Sequence, residues 1–268
     1  MAKEKSMSEE SREVKGVSRN LLKLIAIITI TIGHFFLYTF SVIRCFGLKN
    51  PWVGILCGIC FVGPPIFMCF IAEGFRYTSS KLRYGRRLLL FAIVTQVAHA
   101  ITTDQGLGFS FHTFFFEWNV FFALLLGFLA LCVLSSEWKP VLKGAGVLAI
   151  LALSYFMNTE WWIFGPLMIL SFYYFKDKAL LKWISAAALV YLTFALSDCN
   201  FGGGFAVTPN PWHFRYFLAF GVIGAGLVSF FYHGKNGKKS KWIQYFYYVF
   251  YPLHLILIDL VILLARSR

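Results

Sequence analysis

The chain has 268 residues and is 59% apolar and 19% aromatic with only 14% charged residues, a composition that excludes an ordinary soluble domain. Repeated apolar stretches separated by short polar loops predict an all-α polytopic transmembrane bundle, because about 20 apolar residues cross the hydrocarbon core as a helix. The runs are continuously apolar, which excludes the alternation of a membrane barrel. The formal charge of +13 sorts by side of the membrane, so no nucleic-acid partner is read from it.

Residues 1–20 mix Lys, Arg, Glu and Ser without an apolar run and predict a cytoplasmic tail, followed by a single transmembrane domain over 21–268. About nine spans are expected, near 21–43, 53–75, 86–103, 118–134, 142–157, 161–175, 181–197, 214–232 and 243–264. With the N-terminus inside, 20 of the 25 Lys and Arg fall on the inner side. The positive-inside rule then predicts a cytoplasmic N-terminus, an outer C-terminus and a multi-pass protein of the cell membrane.

The first run, LLKLIAIITITIGHFFLYTFSVI, is too long for a cleavable signal and is expected to stay as an anchor. It carries His34 near its midpoint, and an ionisable group inside hydrocarbon is a functional-site candidate by default. The second span holds Pro64 and Pro65 in its middle, which predicts a kink. Cys57 and Cys60 form a C-x-x-C there without a second ligand pair, so no metal site is expected. Cys45 and Cys199 are both assigned to the outer side, where the sequence cannot show whether they meet.

At the inner end of the second span stand Glu73 and Arg76, spaced i, i+3 and able to pair, then Lys81, Arg83, Arg86 and Arg87. Such a run either orients the loop or binds phosphate, since Arg makes bidentate bonds to phosphate oxygens. The outer stretch DQGLGFSFHTFFFE is Phe-rich and reads as re-entrant or interfacial, with His112 as a surface histidine. Asn119 opens the fourth span as a cap. Glu160 opens the sixth beside Trp161 and Trp162, which are expected in an interfacial aromatic belt, and a carboxylate at an outer entrance could recognise an amine. The Gly-rich outer loop 198–213 lacks a nucleotide-binding pattern.

The last span places Tyr247, Tyr251 and His254 on one helical face, with Pro252 freeing a backbone carbonyl and Asp259 on another face without an assigned role. His34 and His254 are expected at similar depth. Two neutral imidazoles on one tunnel could act as general base toward an amine or hydroxyl, with an acyl-CoA donor held by the inner arginines and the acceptor arriving from outside. Polar cross-helix bonding is the plainer role for the two histidines. A proton-coupled transporter would use the same residues, and a non-catalytic membrane scaffold would need none of them.

LLKLIAIITITIGHFF, PPIFMCFIAEGFRYTSS, NVFFALLLG, TEWWIFGPLMILSFYYF and YYVFYPLHLILI together resemble, in order and over most of the chain, motifs of the TraX family of F-pilin acetylase-like membrane acyltransferases. The resemblance implies transfer of acetyl from acetyl-CoA to an exported or envelope acceptor, such as a pilin-like peptide or a glycan. Carried over by position, it implies functional roles for His34, Glu73, Arg76, Arg87, Asn119, Glu160, Tyr251 and His254; taken with the basic run, the expectation is catalysis by His34, His254 and Tyr251, donor binding by Glu73, Arg76, Arg83, Arg86 and Arg87, and acceptor contacts from Asn119 and Glu160. Two departures stand out. Where the family usually has Asp-His in the first helix this chain has Gly33-His34, and where it has Gly-Arg before the PIF segment this chain has Cys60-Phe61. An ion pair lost as a unit is expected, because removing one partner alone strands a buried charge at about 3–5 kcal/mol.

Overall fold

A computed structural model describes residues 16–42, 50–102, 108–197, 211–232, 234 and 241–267, and among them the secondary structure is helical apart from two isolated bridges. In chain order the helices are α1 (Arg19–Val42), α2 (Pro51–Gly58), a 3-10 turn (Ile59–Val62), α3 (Gly63–Tyr77), α4 (Lys81–Thr102), α5 (Phe111–Phe116) and α6 (Val120–Leu134). They continue with α7 (Pro140–Phe156), α8 (Phe164–Tyr174), α9 (Ala179–Ser197), α10 (Pro211–Gly226), a π turn (Leu227–Phe231) and α11 (Lys241–Arg266). Each of the nine expected apolar segments contains a helix. Among the described residues, five helical stretches are long and apolar enough to cross a membrane: Arg19–Thr39, Pro51–Tyr77, Ala179–Leu196, His213–Phe231 and Tyr245–Ala265. α6, α7 and α8 are apolar but shorter, and 11-residue α8 rises only about 16 Å, half the hydrocarbon thickness.

The stretch Pro51–Tyr77 is the most enclosed of the five and is the axis of the bundle. The expected kink is realised as the 3-10 turn just ahead of Pro64 and Pro65, which cannot donate to the carbonyls of Cys60 and Phe61. The Gly63 N–H takes up the Cys60 carbonyl instead. This turn is gripped from two sides by glycine. A Cβ on Gly33 of α1 would stand 2.5 Å from Cys60 Cβ, and one on Gly224 of α10 would collide with the Val62 carbonyl. Small residues let backbones approach closely, the main source of helix cohesion in a membrane, where apolar side chains gain nothing by leaving lipid.

α1 packs on α2, the 3-10 turn, α3 and α11, while α8 and α10 close the other side of the central stretch and α4 bridges α6 and α11. Phe61 lies in an aromatic nest, its ring 4.8 Å from Phe217, 4.9 Å from Phe194 and 6.0 Å from Trp161. The position that carries Arg in the resembling motif is therefore filled here by apolar stacking.

Candidate functional site

The centre of the site is a seam between α1 and α11. His34 Nδ1 lies 3.0 Å from His254 Nε2, with the rings stacked at 5.2 Å. His254 Nδ1 lies 3.2 Å from the Phe250 carbonyl, which can only accept. With both rings neutral, His254 must therefore carry its proton on Nδ1 and accept at Nε2, so His34 donates from Nδ1 and keeps a lone pair on Nε2. The carbonyl used is that of Phe250, not the Tyr248 carbonyl freed by Pro252. Tyr251 stands edge-on to both rings, at 6.5 Å from His34 and 5.1 Å from His254, and packs on Phe121 of α6 at 5.2 Å. His254 is buried, whereas His34 keeps part of its surface accessible.

Further polar groups converge here that the sequence did not assign. His99 of α4 is close enough to His34 to interact electrostatically. Tyr38, one turn beyond His34 with ring centroids 6.4 Å apart, hydrogen-bonds Thr102 and lies within electrostatic range of Glu160 and Asp259. Thr95, His99 and Thr102 are all buried at i, i+4, i+7 on α4. That spacing was the available signal: a polar stripe on an otherwise apolar helix must face inward.

Glu160 reaches this cluster because α8 is short. Counting about 1.5 Å per residue from the basic ends of the helices, α8 starts at Phe164 about 15 Å above Tyr174, lower than His34, about 22 Å above Arg19, and His254, about 20 Å above Lys241. The α7–α8 turn thus dips into the bundle, and Glu160 interacts electrostatically with Tyr38, Tyr251 and Cys60. Three residues of the turn have left-handed backbones, Asn158 (φ 49°), Trp161 (φ 67°) and Trp162 (φ 40°), a conformation that persists only when over-determined. The Glu160 N–H donates to the Trp118 carbonyl at 2.9 Å. Ser154 Oγ donates to the Trp162 carbonyl and pairs with Thr159 Oγ1, both at 2.8 Å. Trp161 and Trp162 are consequently buried, 3% and 5% exposed, which corrects their expected place in an interfacial belt.

Asn119 caps α6 by accepting from the Phe121 N–H at 2.9 Å. Its amide donates to the Ala92 carbonyl and to Gln96 Oε1 at 2.9 and 2.8 Å, so its polar atoms are committed to the scaffold. His112 is a surface histidine, 3.6 Å from Glu117. Cys57 and Cys60 are buried free thiols; Cys45, Cys199 and nearly all of the Gly-rich loop lie outside the described residues.

At the basic end the predicted pairing of Glu73 with Arg76 is replaced by another. Glu73 binds Arg19 at 2.6 Å, and the Tyr232 hydroxyl lies 2.7 and 2.8 Å from its two oxygens. Burial together with the Glu73 carboxylate raises the Tyr232 phenol above its ordinary pKa. The Arg19 Nε donates to the same hydroxyl at 3.3 Å. Arg76 instead donates to the Tyr173 carbonyl and lies over that ring, and Arg87 lies over Tyr84 at 5.6 Å. Arg83 and Arg86 are exposed. Lys23, eleven residues before His34 and so within about 20° of it around α1, holds its ammonium 4.9 Å from the Tyr247 ring centre. The face of α1 that carries His34 therefore runs down to a cation.

A protein-family model described as TraX protein matches residues 18–262. The chain belongs to the TraX family. No curated protein and no solved structure matches it. The TraX match takes in both histidines, the α7–α8 turn and the basic end, so the seam lies wholly within the region that defines the family.

Proposed function

We propose that this TraX-family protein is a membrane acyltransferase that moves an acyl group, acetyl by preference, from an acyl-CoA at the basic end to an amine or hydroxyl acceptor presented from the opposite side. The carrying observation is the ordered chain from the Phe250 carbonyl through His254 to His34, which leaves the His34 Nε2 lone pair as a general base. His34 Nε2 takes the proton of the acceptor as its nitrogen or oxygen attacks the thioester carbon. The C–S bond then breaks, and the thiolate leaves with that proton as free CoA. Both nitrogens of His254 are occupied, so it positions His34, and the hydroxyl of Tyr251 is the group left to polarise the thioester. Arg19, Lys23, Arg76 and Arg87 supply positive charge for the donor phosphates, and Glu160 shapes the acceptor side.

In this reading all nine helical segments traverse the cell membrane with the N-terminus cytoplasmic and the C-terminus outside, and the dipping α7–α8 turn compensates for short α8. Mass spectrometry of the envelope fraction from cells expressing the wild type or His34→Ala tests the activity. A mass increment of acetyl on a peptide or glycan, absent with His34→Ala, is the expected result, and identical spectra count against it. The gathering of three histidines and two carboxylates also favours a proton-coupled transporter as the second reading. A thermal shift by acetyl-CoA supports the enzyme; proton uptake that depends on His34 without such a shift supports the transporter.

A further inference from the structure

α4 has two opposed faces. Tyr84, Leu88, Thr95 and His99 are buried, whereas Leu82, Leu90 and Ile93 are 64%, 57% and 50% exposed. At about 100° per residue, Arg86 falls between Leu82 and Leu90 on the outward face, with Arg83 at its edge. The basic run is thereby divided. Arg76 and Arg87, half-buried, and Lys81, exposed, stand over the rings of Tyr173, Tyr84 and Phe75, whereas Arg83 and Arg86 are exposed and neither takes part in an ion pair among the described residues. A side chain on this face cannot reach the α1–α11 seam, which lies on the far side of the helix.

Depth points to what these guanidinium groups meet. Arg86 is five residues into α4, about 7.5 Å along the axis, within the reach of an arginine that extends toward the headgroups. Tyr77 and Trp138, 78% and 54% exposed at the same end of the bundle, are the amphipathic aromatics expected at that layer. We propose that Arg83 and Arg86 bind the phosphate of an anionic phospholipid in the leaflet at the basic end, while Leu82 and Leu90 pack against its acyl chains. Guanidinium pairs phosphate bidentately, and among the described residues no carboxylate pairs with either fork. This assignment rests on the membrane-embedded fold and is independent of acyl transfer.

The test uses the full chain in nanodiscs of phosphatidylcholine with or without phosphatidylglycerol, with lipid retention read by native mass spectrometry and stability by thermal unfolding. Phosphatidylglycerol should be retained in preference and should raise the melting midpoint. Arg83→Gln/Arg86→Gln should lower that preference on the order of 30-fold, as two basic groups at an anionic surface predict. If that variant inserts poorly, Arg83→Lys/Arg86→Lys keeps the orienting charge and should show an intermediate loss, because the bidentate fork is gone. Equal retention of the two lipids by the wild type, or an unchanged preference in both variants, overturns the proposal. Loss of an acetyl-CoA thermal shift in the double Gln variant in pure phosphatidylcholine would also overturn it, by giving these arginines to the acyl donor.

Discussion

Replacing Gly33 by alanine should force the bundle open beside the histidine pair. The new Cβ would stand 2.5 Å from Cys60 Cβ, 2.6 Å from its N and 2.9 Å from its Cα, whereas ordinary contact begins at 3.4 Å, so α1 and the 3-10 turn must part by about 0.9 Å. Overpacking of this kind typically destabilises by about 1–3 kcal/mol. Because His34 is the next residue, a shift of that size also misaligns its 3.0 Å bond to His254. Thermal or denaturant unfolding in one detergent should place Gly33→Ala well below Gly144→Ala, whose Cβ would meet nothing within 4 Å. Adding Cys60→Gly should recover only part of the loss, since two of the three contacts are with backbone. Gly33→Asp should fail for the same steric reason, and adding Phe61→Arg should not rescue it, because that arginine would be buried among Phe194, Phe217 and Trp161. The expected loss of an ion pair as a unit thus becomes a repacking problem. If Gly33→Ala unfolds together with Gly144→Ala, the grip on the turn is not tight and the reasoning fails.

Glu73→Gln should destabilise by about 1–3 kcal/mol by stranding half-buried Arg19, and Tyr232→Phe by about 1 kcal/mol. The double variant should cost less than the sum, and strict additivity in unfolding would refute a shared network. Since the folded Tyr232 phenol titrates above its unfolded value, stability should fall as pH rises past about 10, where only the unfolded chain ionises. Tyr232→Phe should flatten that limb. Ser154→Ala removes the bonds that hold the dipping turn and should lower stability by about 1–3 kcal/mol with a red shift of tryptophan fluorescence; unchanged emission would mean that Trp161 and Trp162 hold the turn without it.

The helical segments were legible because apolar runs of this length have few alternatives, and His34 and His254 were legible because charge-capable groups are rare in such runs. Their meeting was not a property of either run. It depends on α11 lying against α1, which pattern cannot supply. The pattern predicts an aromatic belt because Trp161 and Trp162 stand where belts usually are, beside the end of an apolar segment. The span in question is too short to reach that level, and only the left-handed turn reveals that the pair points inward. At the basic end, i, i+3 spacing proposed a partner for Glu73, but Arg19 and Tyr232 approach from two other elements and make a better-satisfied network than a neighbour on the same helix could.

A membrane bundle inverts the usual use of polarity, since side chains on the lipid face have nothing to gain by being polar and those facing the seam can share protons. The same inversion separates the two kinds of basic residue on and around α4. Those that fold onto aromatic rings of the bundle lie where the proposed donor would meet them, and those that stand among exposed leucines lie where the proposed lipid would. His99 follows the inward rule and Arg86 the outward one, although both belong to α4 and stand thirteen residues apart. Thirteen steps of about 100° leave them on opposite sides of the helix. Spacing along one helix therefore carries the distinction between a group that can serve chemistry in the seam and one that can only anchor it, once a single buried residue such as Tyr84 has fixed which side is inside.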